Sequence, residues 1–311
     1  MDEAGGNSIL GRCLAGASPD NTTKKAPTVG GDGPKCNGMA TYRFHALNAN
    51  LHITDTPLGY TPSRGPSVSF ELTYNHKEAN QPQIFTYSNM GPRWTFEYLS
   101  FLEDDDLTYL KLHVPGGGAE NYASVGGAPS APHYVSQTVL ARVSTDPVVW
   151  EARHPDGSVD VYGQPDCTVC VGRRVFLTES RDATGQSLVF TYDSSMRIVA
   201  ITDATGQVTT LPYELSSDPW KVTRFTDPYG RFARFDYDQA GRLQRITDVI
   251  GLTSEFQYSS TEQESPDFIT ALTTPYGTTT LRQTVQIFGE VLDSGSDGPA
   301  RWHGAGLVRQ E

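Results

Sequence analysis

The 311-residue sequence is acidic, with a formal net charge of −12, and only 19% of its residues are charged. Because affinity for nucleic acid depends largely on Lys and Arg that neutralise phosphates, this balance argues against a nucleic-acid-binding protein. No apolar run approaches the roughly 18 residues of a membrane span, and the opening MDEAGGNSIL lacks the basic and apolar regions of a secretory signal. The many glycines and prolines, 30 and 20, together with few charges, favour strands and turns and predict an all-β protein.

The first half of the chain contains two segments of different character. Residues 1–38 are rich in Gly, Asn, Pro, Asp and Thr, so burial cannot offset the entropy of ordering them, and we expect a flexible leader. Residues 39–150 contain strand-like runs such as ATYRFHALNANLHIT, SVSFELTYN and FEYLSFLE, separated by clusters of Gly, Pro and Asp. These runs predict a separate N-terminal β domain.

An internal repeat occupies residues 151–280. Each copy has Asp-x-x-Gly followed, seven residues after its Gly, by Tyr. The copies are Asp182, Gly185 and Tyr192; Asp203, Gly206 and Tyr213; Asp227, Gly230 and Tyr237; and Asp248, Gly251 and Tyr258. Because Asp can bond backbone N–H groups at the start of a turn and Gly tolerates positive φ at its end, each tetrapeptide predicts a hairpin tip.

The strands between these tips should have one apolar and one polar face. Phe190, Leu211, Phe235 and Phe256 each lie two residues before a repeat tyrosine, which places each on the same face as that tyrosine. On the returning strand, apolar residues are three apart, as at Ile198 and Ile201, and this break in alternation predicts a β-bulge. We expect a packed row of tyrosines, with a fifth tip at TTPYGTTT and an uncapped or poorly ordered segment at 281–311 that leaves part of the aromatic face exposed.

The most complete copy, YDQAGRLQRITD, adds a further Asp-x-x-Gly from Asp238 to Gly241. This pattern resembles the tyrosine-aspartate (YD) repeat of bacterial Rhs proteins, which also occurs in the C components of insecticidal toxin complexes and in animal teneurins. Two copies depart from it, because Met196 replaces a Gly and no Asp follows Tyr213.

The segment upstream of the repeats supports the same resemblance. Gly91, Trp94 and Thr95 match the Gly-x-x-Trp-Ser/Thr element that opens the repeat region of Rhs-type proteins. The chain therefore resembles the N-terminal portion of such a protein, including the pre-repeat domain and the first repeats.

In that family the repeats form an antiparallel β-ribbon wound into a hollow shell around a C-terminal toxin or effector. The resemblance implies a non-catalytic scaffold whose partners are continuing repeat segments or an enclosed effector. It also implies a protein that is secreted or displayed at the cell surface without a classical signal peptide, or is cytoplasmic before export. A carbohydrate-binding surface module and an enzyme with an unrecognised site remain the alternatives.

The CTVC pair, Cys167 and Cys170, is the sequence's one candidate for metal or redox chemistry. Its spacing is that of a zinc knuckle, but tetrahedral zinc needs two more ligands, and Cys13 and Cys36 lie in the predicted leader. We interpret the pair as loop thiols or a local disulfide, with a metal site or redox chemistry as weaker alternatives. No catalytic or cofactor-binding residue is predicted.

Overall fold

The computed structural model describes residues 39–45, 50–104, 109–123, 128–168, 170, 172–260 and 265–284, and a strand at 306–307. The leader predicted at 1–38 and most of the segment at 281–311 lie outside the described residues. Within these ranges every pair of strands is antiparallel and no helix occurs, which confirms the all-β class. Accordingly, no helix suited to crossing a membrane is found in the described part of the chain.

The strands are short and follow one another closely along the chain. The first nine are β1 (Thr41–His45), β2 (Asn50–Asp55), β3 (Gly59–Tyr60), β4 (Val68–Ser69), β5 (Leu72–Asn75), β6 (Trp94–Phe96), β7 (Phe101–Glu103), β8 (Tyr109–His113) and β9 (Ala119–Ala123). The next seven are β10 (Val139–Thr145), β11 (Val148–Arg153), β12 (Val159–Pro165), β13 (Arg174–Arg181), β14 (Ser187–Tyr192), β15 (Ile198–Thr202) and β16 (Val208–Thr210). The last eight are β17 (Arg224–Thr226), β18 (Phe232–Tyr237), β19 (Leu243–Thr247), β20 (Thr253–Tyr258), β21 (Ile269–Thr274), β22 (Gly277–Thr280), β23 (Gln283–Thr284) and β24 (Gly306–Leu307).

Most of these strands belong to one long sheet. From β10 to β22 each strand pairs with the next in the chain, and β7, β8 and β9 join this path through β13 to complete sixteen strands. We call the stretch from β10 to β22 the ribbon. The upstream sheet is a separate four-stranded sheet in the order β1-β2-β5-β6.

The upstream sheet and the residues around it bury the apolar face of the ribbon. Phe70 stacks on Phe96 of the upstream sheet, with ring centroids 5.2 Å apart, and on Phe225 of the ribbon at 4.4 Å. One continuous cluster of buried residues includes both parts of the chain. The arrangement is therefore two packed layers around a shared core.

Two expectations about organisation differ from what the structure shows. The boundary expected at residue 150 falls inside β11, and the core is not divided there. The aromatic face also remains covered toward the end of the ribbon, since Phe256 and Leu272 are 2% and 3% exposed. The reason is that the upstream segment supplies the second layer, so the described strands do not leave this face open.

Candidate functional site: the tyrosine ladder

The repeat tetrapeptides form hairpin tips that are closed by their own aspartates. Asp238 Oδ1 accepts hydrogen bonds from the N–H groups of Ala240 at 3.0 Å and Arg242 at 2.9 Å, while its Oδ2 accepts one from Arg242 Nε at 2.7 Å. The same pair of backbone bonds occurs at Asp182, Asp203, Asp227 and Asp248. Positive φ values of 74° to 86° are found at Gly185, Gly206, Gly230, Gly241 and Gly251. The tips are therefore fixed by local sequence.

A β-bulge lies next to the repeat tyrosine in three hairpins. The register shifts between Thr191 and Tyr192, and the equivalent shifts occur before Tyr237 and Tyr258. These bulges confirm the irregularity predicted from the three-residue spacing on the returning strands. A bulge redirects the side chain beside it, and here that side chain is the tyrosine.

The four repeat tyrosines, which we call the tyrosine ladder, share one hydrogen-bond pattern. Each hydroxyl donates to the backbone carbonyl of the residue 15 positions earlier, at 2.6 to 2.9 Å. The pairs are Tyr192 with Leu177, Tyr213 with Ile198, Tyr237 with Val222, and Tyr258 with Leu243. Each repeat is thus bonded to the one before it by a side chain, in addition to the strand pairing.

Residues 87–94, the crossing segment, run along the tyrosine ladder. Ser88 Oγ accepts the N–H of Ile198 at 2.8 Å and lies 2.6 Å from Tyr213 OH. Because Tyr213 OH donates its hydrogen to a carbonyl, Ser88 is the donor of the second bond. This arrangement satisfies the Ser88 hydroxyl both as donor and as acceptor.

Two of the three pre-repeat motif residues contact the ribbon. Trp94 is fully buried and donates from Nε1 to Tyr258 OH at 2.9 Å. Gly91 has φ of +96°, and a Cβ there would lie 2.7 Å from the carbonyl oxygen of Gly241. Thr95 instead pairs with Thr73 inside the upstream sheet. In this motif, Gly91 allows the crossing segment to approach the backbone of the ribbon at Gly241. Trp94 supplies a hydrogen-bond donor to the hydroxyl of Tyr258.

The ladder hydroxyls are held in their protonated form. Burial raises the pKa of all four tyrosines well above 10. A protonated hydroxyl can donate to a carbonyl, whereas a phenolate could not. Arg197 and Arg242 add cation–π contacts, since their guanidinium carbons lie 4.9 Å and 4.6 Å from the ring centroids of Tyr213 and Tyr258. This chemistry favours fixed structure over proton transfer.

A buried lysine, which sequence reasoning missed, fastens the irregular link between β16 and β17. The Lys221 side chain is 4% exposed, and its Nζ lies 2.5 Å from Asn89 Oδ1 and 3.1 Å from Asp218 Oδ2. Burial lowers the pKa of Lys221. Asn89 belongs to the crossing segment, and its backbone forms an isolated bridge with Lys221. No repeat position predicts this contact, because the link replaces the Tyr-Asp tip found in other copies.

Cys167 and Cys170 form a disulfide in the link between β12 and β13. Asp166 lies close enough to complete a group of three potential metal ligands. However, Asp166 already accepts hydrogen bonds from the N–H and Nε of Arg174, at 3.0 and 2.7 Å. Sulfurs that are bonded to each other cannot act as thiolate ligands, so this oxidised pair corresponds to the local-disulfide alternative.

A groove of about 400 Å³ lies between the β3–β4 hairpin and two tips of the ribbon. Tyr60 lines it on the hairpin side, and Arg231 and Asp248 line it on the ribbon side. Tyr60 OH donates to Asp203 Oδ2 at 3.1 Å. Burial is the largest of several effects, and the pKa of Tyr60 is raised to about 12. The groove combines an aromatic ring with charged groups, which suits a small polar ligand.

The arrangement of the ladder is structural in character. Each of its hydroxyls donates to a backbone carbonyl, and its rings pack against the core. Scanning the chain against models of protein families, and searching curated proteins with it, returned no match.

Proposed function

We propose that this chain is a non-catalytic scaffold of the Rhs type, forming part of the wall of a shell that encloses or presents a toxin or effector. The observation that carries the proposal is the hydrogen bond from each ladder hydroxyl to the carbonyl 15 residues earlier, repeated in four copies. A side-chain bond between successive repeats stiffens a sheet beyond strand pairing alone. Stiffness across many strands suits the wall of a shell.

The order of strands supports continuing repeats as partners. Among the described strands, the path of the ribbon ends at β22, whose residues are mostly exposed threonines. Repeat arrays grow by adding neighbours that bury the next face, and strand edges accept further strands. In this proposal a further repeat strand, from the same polypeptide or a partner, pairs with β22.

The proposal can be tested on the assembly purified from its source through an affinity tag on this chain. We expect a native mass well above that of one chain, and a second polypeptide that resists protease until the particle is denatured. Tyr237→Ala should disrupt the particle, whereas Tyr229→Ala, at an exposed tip, should leave it intact. A monomeric chain with no protected polypeptide would reject the shell function.

A carbohydrate-binding function is the second candidate, and the groove beside Tyr60 is the observation that favours it. The repeat tyrosines face the core, so sugar stacking on them is not available, but Tyr60 and Arg231 offer an aromatic ring and hydrogen-bond donors. Calorimetric titration with a panel of oligosaccharides tests this candidate. Saturable binding that Tyr60→Ala abolishes, in a chain of unchanged stability, would favour it over the scaffold.

A further inference from the structure

One buried carboxyl group lies between the upstream sheet and the ribbon. Asp55, at the end of β2, is 3% exposed. Its Oδ2 accepts a hydrogen bond of 3.2 Å from the Oγ of Ser254 in β20. The same Oγ accepts the N–H of Ala40, next to β1, at 3.0 Å. Ser254 therefore joins two points of the upstream segment to one strand of the ribbon.

This carboxyl group lacks the partners that an ionised form would require. Asp55 Oδ1 is buried without a hydrogen bond of normal geometry, and the Thr56 N–H acts on the carboxyl only weakly. On β5 the residue paired with Asp55 is the apolar Leu72. An ionised carboxylate that is buried without a cation is strongly unfavourable.

The charged group that acts on Asp55 from the ribbon is another carboxylate. Asp248, at the tip between β19 and β20, is 6% exposed, and its negative charge disfavours ionisation of Asp55. Arg231 lines the same groove as Asp248 but is paired with Asp227 at 2.7 Å. Burial is the largest effect that raises the pKa of Asp55, and the negative charge of Asp248 is the second. The pKa of Asp55 is raised to about 7.

We propose that Asp55 and Ser254 form a proton-dependent latch between the upstream sheet and the ribbon. The protonated carboxyl lies buried without needing a counter-charge and keeps the two layers closed. Loss of the proton places an unpaired charge near Asp248, and the contact opens to hydrate it. The latch concerns the closure of this chain and requires neither a shell nor an effector.

The direction of the pH effect follows from linkage. The folded pKa lies above the unfolded value of 3.8, so between about pH 4 and pH 7 the folded chain holds a proton that the unfolded chain has lost. Stability contributed by this group is complete below pH 4 and decreases up to about pH 7. The two pKa values of Asp55, folded and unfolded, differ by about three units, and this difference corresponds to at most about a thousandfold change in the folding equilibrium constant.

The experiment is hydrogen–deuterium exchange of residues 39–55, comparing the wild-type chain with Asp55→Asn at equal pH. At pH 5 the two should exchange alike, and at pH 8 the wild type should exchange at least tenfold faster, because only it acquires the charge. Glu214→Gln, which removes a negative charge from a side chain that is 63% exposed, is the control and should leave the ratio unchanged. Equal exchange of wild type and Asp55→Asn at pH 8 would overturn the latch.

A second variant covers the case in which Asp55→Asn does not fold. Asp248→Asn retains an oxygen that can accept the backbone bonds of its tip but removes the negative charge. Asp248→Asn should slow the opening of residues 39–55 at pH 8. In the wild type, NMR of the Asp55 carboxyl carbon should show a titration midpoint near pH 7. A midpoint near pH 4, or unchanged opening in Asp248→Asn, would contradict the proposal.

Discussion

The hydroxyl of Tyr237 donates a 2.6 Å hydrogen bond to the backbone carbonyl of Val222, a residue that is fully buried. The bond crosses from β18 to the residues that precede β17, where the irregular link ends. It therefore fastens β18 to the end of the link that follows β16, a link on whose two sides β16 and β17 share one residue pair. The ladder is kept in register there by side chains as well as by strands.

Replacing Tyr237 separates the contributions of the ring and the hydroxyl. Tyr237→Phe removes the donor and leaves a buried carbonyl unsatisfied, which should lower the free energy of unfolding by about 1 to 3 kcal/mol. Tyr237→Ala also removes the ring and should cost at least about 3 kcal/mol. Urea unfolding measures both. Tyr229→Phe, at a tip residue 59% exposed, should change stability by less than about 0.5 kcal/mol, and a loss equal to that of Tyr237→Phe would refute the ladder's role.

A methyl group at Gly91 should be tolerated far less than one at Gly251. Both glycines have positive φ, so each Ala variant carries a backbone penalty of about 1 to 2 kcal/mol. Only at Gly91 does the new Cβ also meet a backbone oxygen, at 2.7 Å, whereas Gly251 has open space around it. Thermal unfolding of the two variants is the comparison. Equal melting temperatures would show that the crossing segment does not approach the ribbon as described.

The indole of Trp94 should matter more than that of Trp220. Trp94→Phe leaves Tyr258 OH without its donor and opens a space in the core, so we expect a loss of about 2 to 4 kcal/mol. Trp220 donates to Ser195 O in an exposed setting, and Trp220→Phe should lose less than about 1 kcal/mol. Denaturant unfolding, followed by the fluorescence of the remaining tryptophans, distinguishes them. Similar losses would mean that the motif tryptophan has no special contact with the repeats.

The tip aspartates should make the chain sensitive to acid. Hydrogen bonds from the Thr184 hydroxyl and the Gln186 N–H lower the pKa of Asp182. A lowered folded pKa means that this contribution is present above the ordinary Asp range and is lost as pH falls through the folded value. Asp182→Asn should therefore flatten the acid limb of the stability curve. Unfolding midpoints from about pH 6 down to about pH 2.5 measure it, and an unchanged acid limb would count against the tip bonds.

The local parts of the fold could be predicted from sequence because they depend on neighbouring residues. Asp and Gly at fixed spacing determine the tips, and the alternation of apolar and polar residues along each strand determines which face of the sheet carries Phe235. The tip at Met196 forms even without Gly, with φ of 59°, because Asp193 Oδ1 still accepts two backbone N–H groups. In sequence, Met196 is a departure from the repeat, and the tip forms there nonetheless.

The long-range contacts could not be predicted in the same way. No periodicity indicates that the acceptor of Tyr237 is a carbonyl 15 residues back, or that Asn89 and Lys221 meet. The second layer over the ribbon was also missed, because the sequence shows two apolar segments without showing that they share one core. These features depend on how distant segments pack, and single-sequence patterns do not encode that packing.

Electron cryomicroscopy of the native particle purified through this chain tests the central claim most directly. The proposal predicts a map in which the ribbon continues past β22 into further repeats that curve around a cavity containing another polypeptide. The tyrosine ladder should be visible along the inner edge of each hairpin, with the same side-chain bonds between repeats. A map of one isolated chain, with β22 covered by its own residues 281–311, would contradict the shell and identify a self-contained domain.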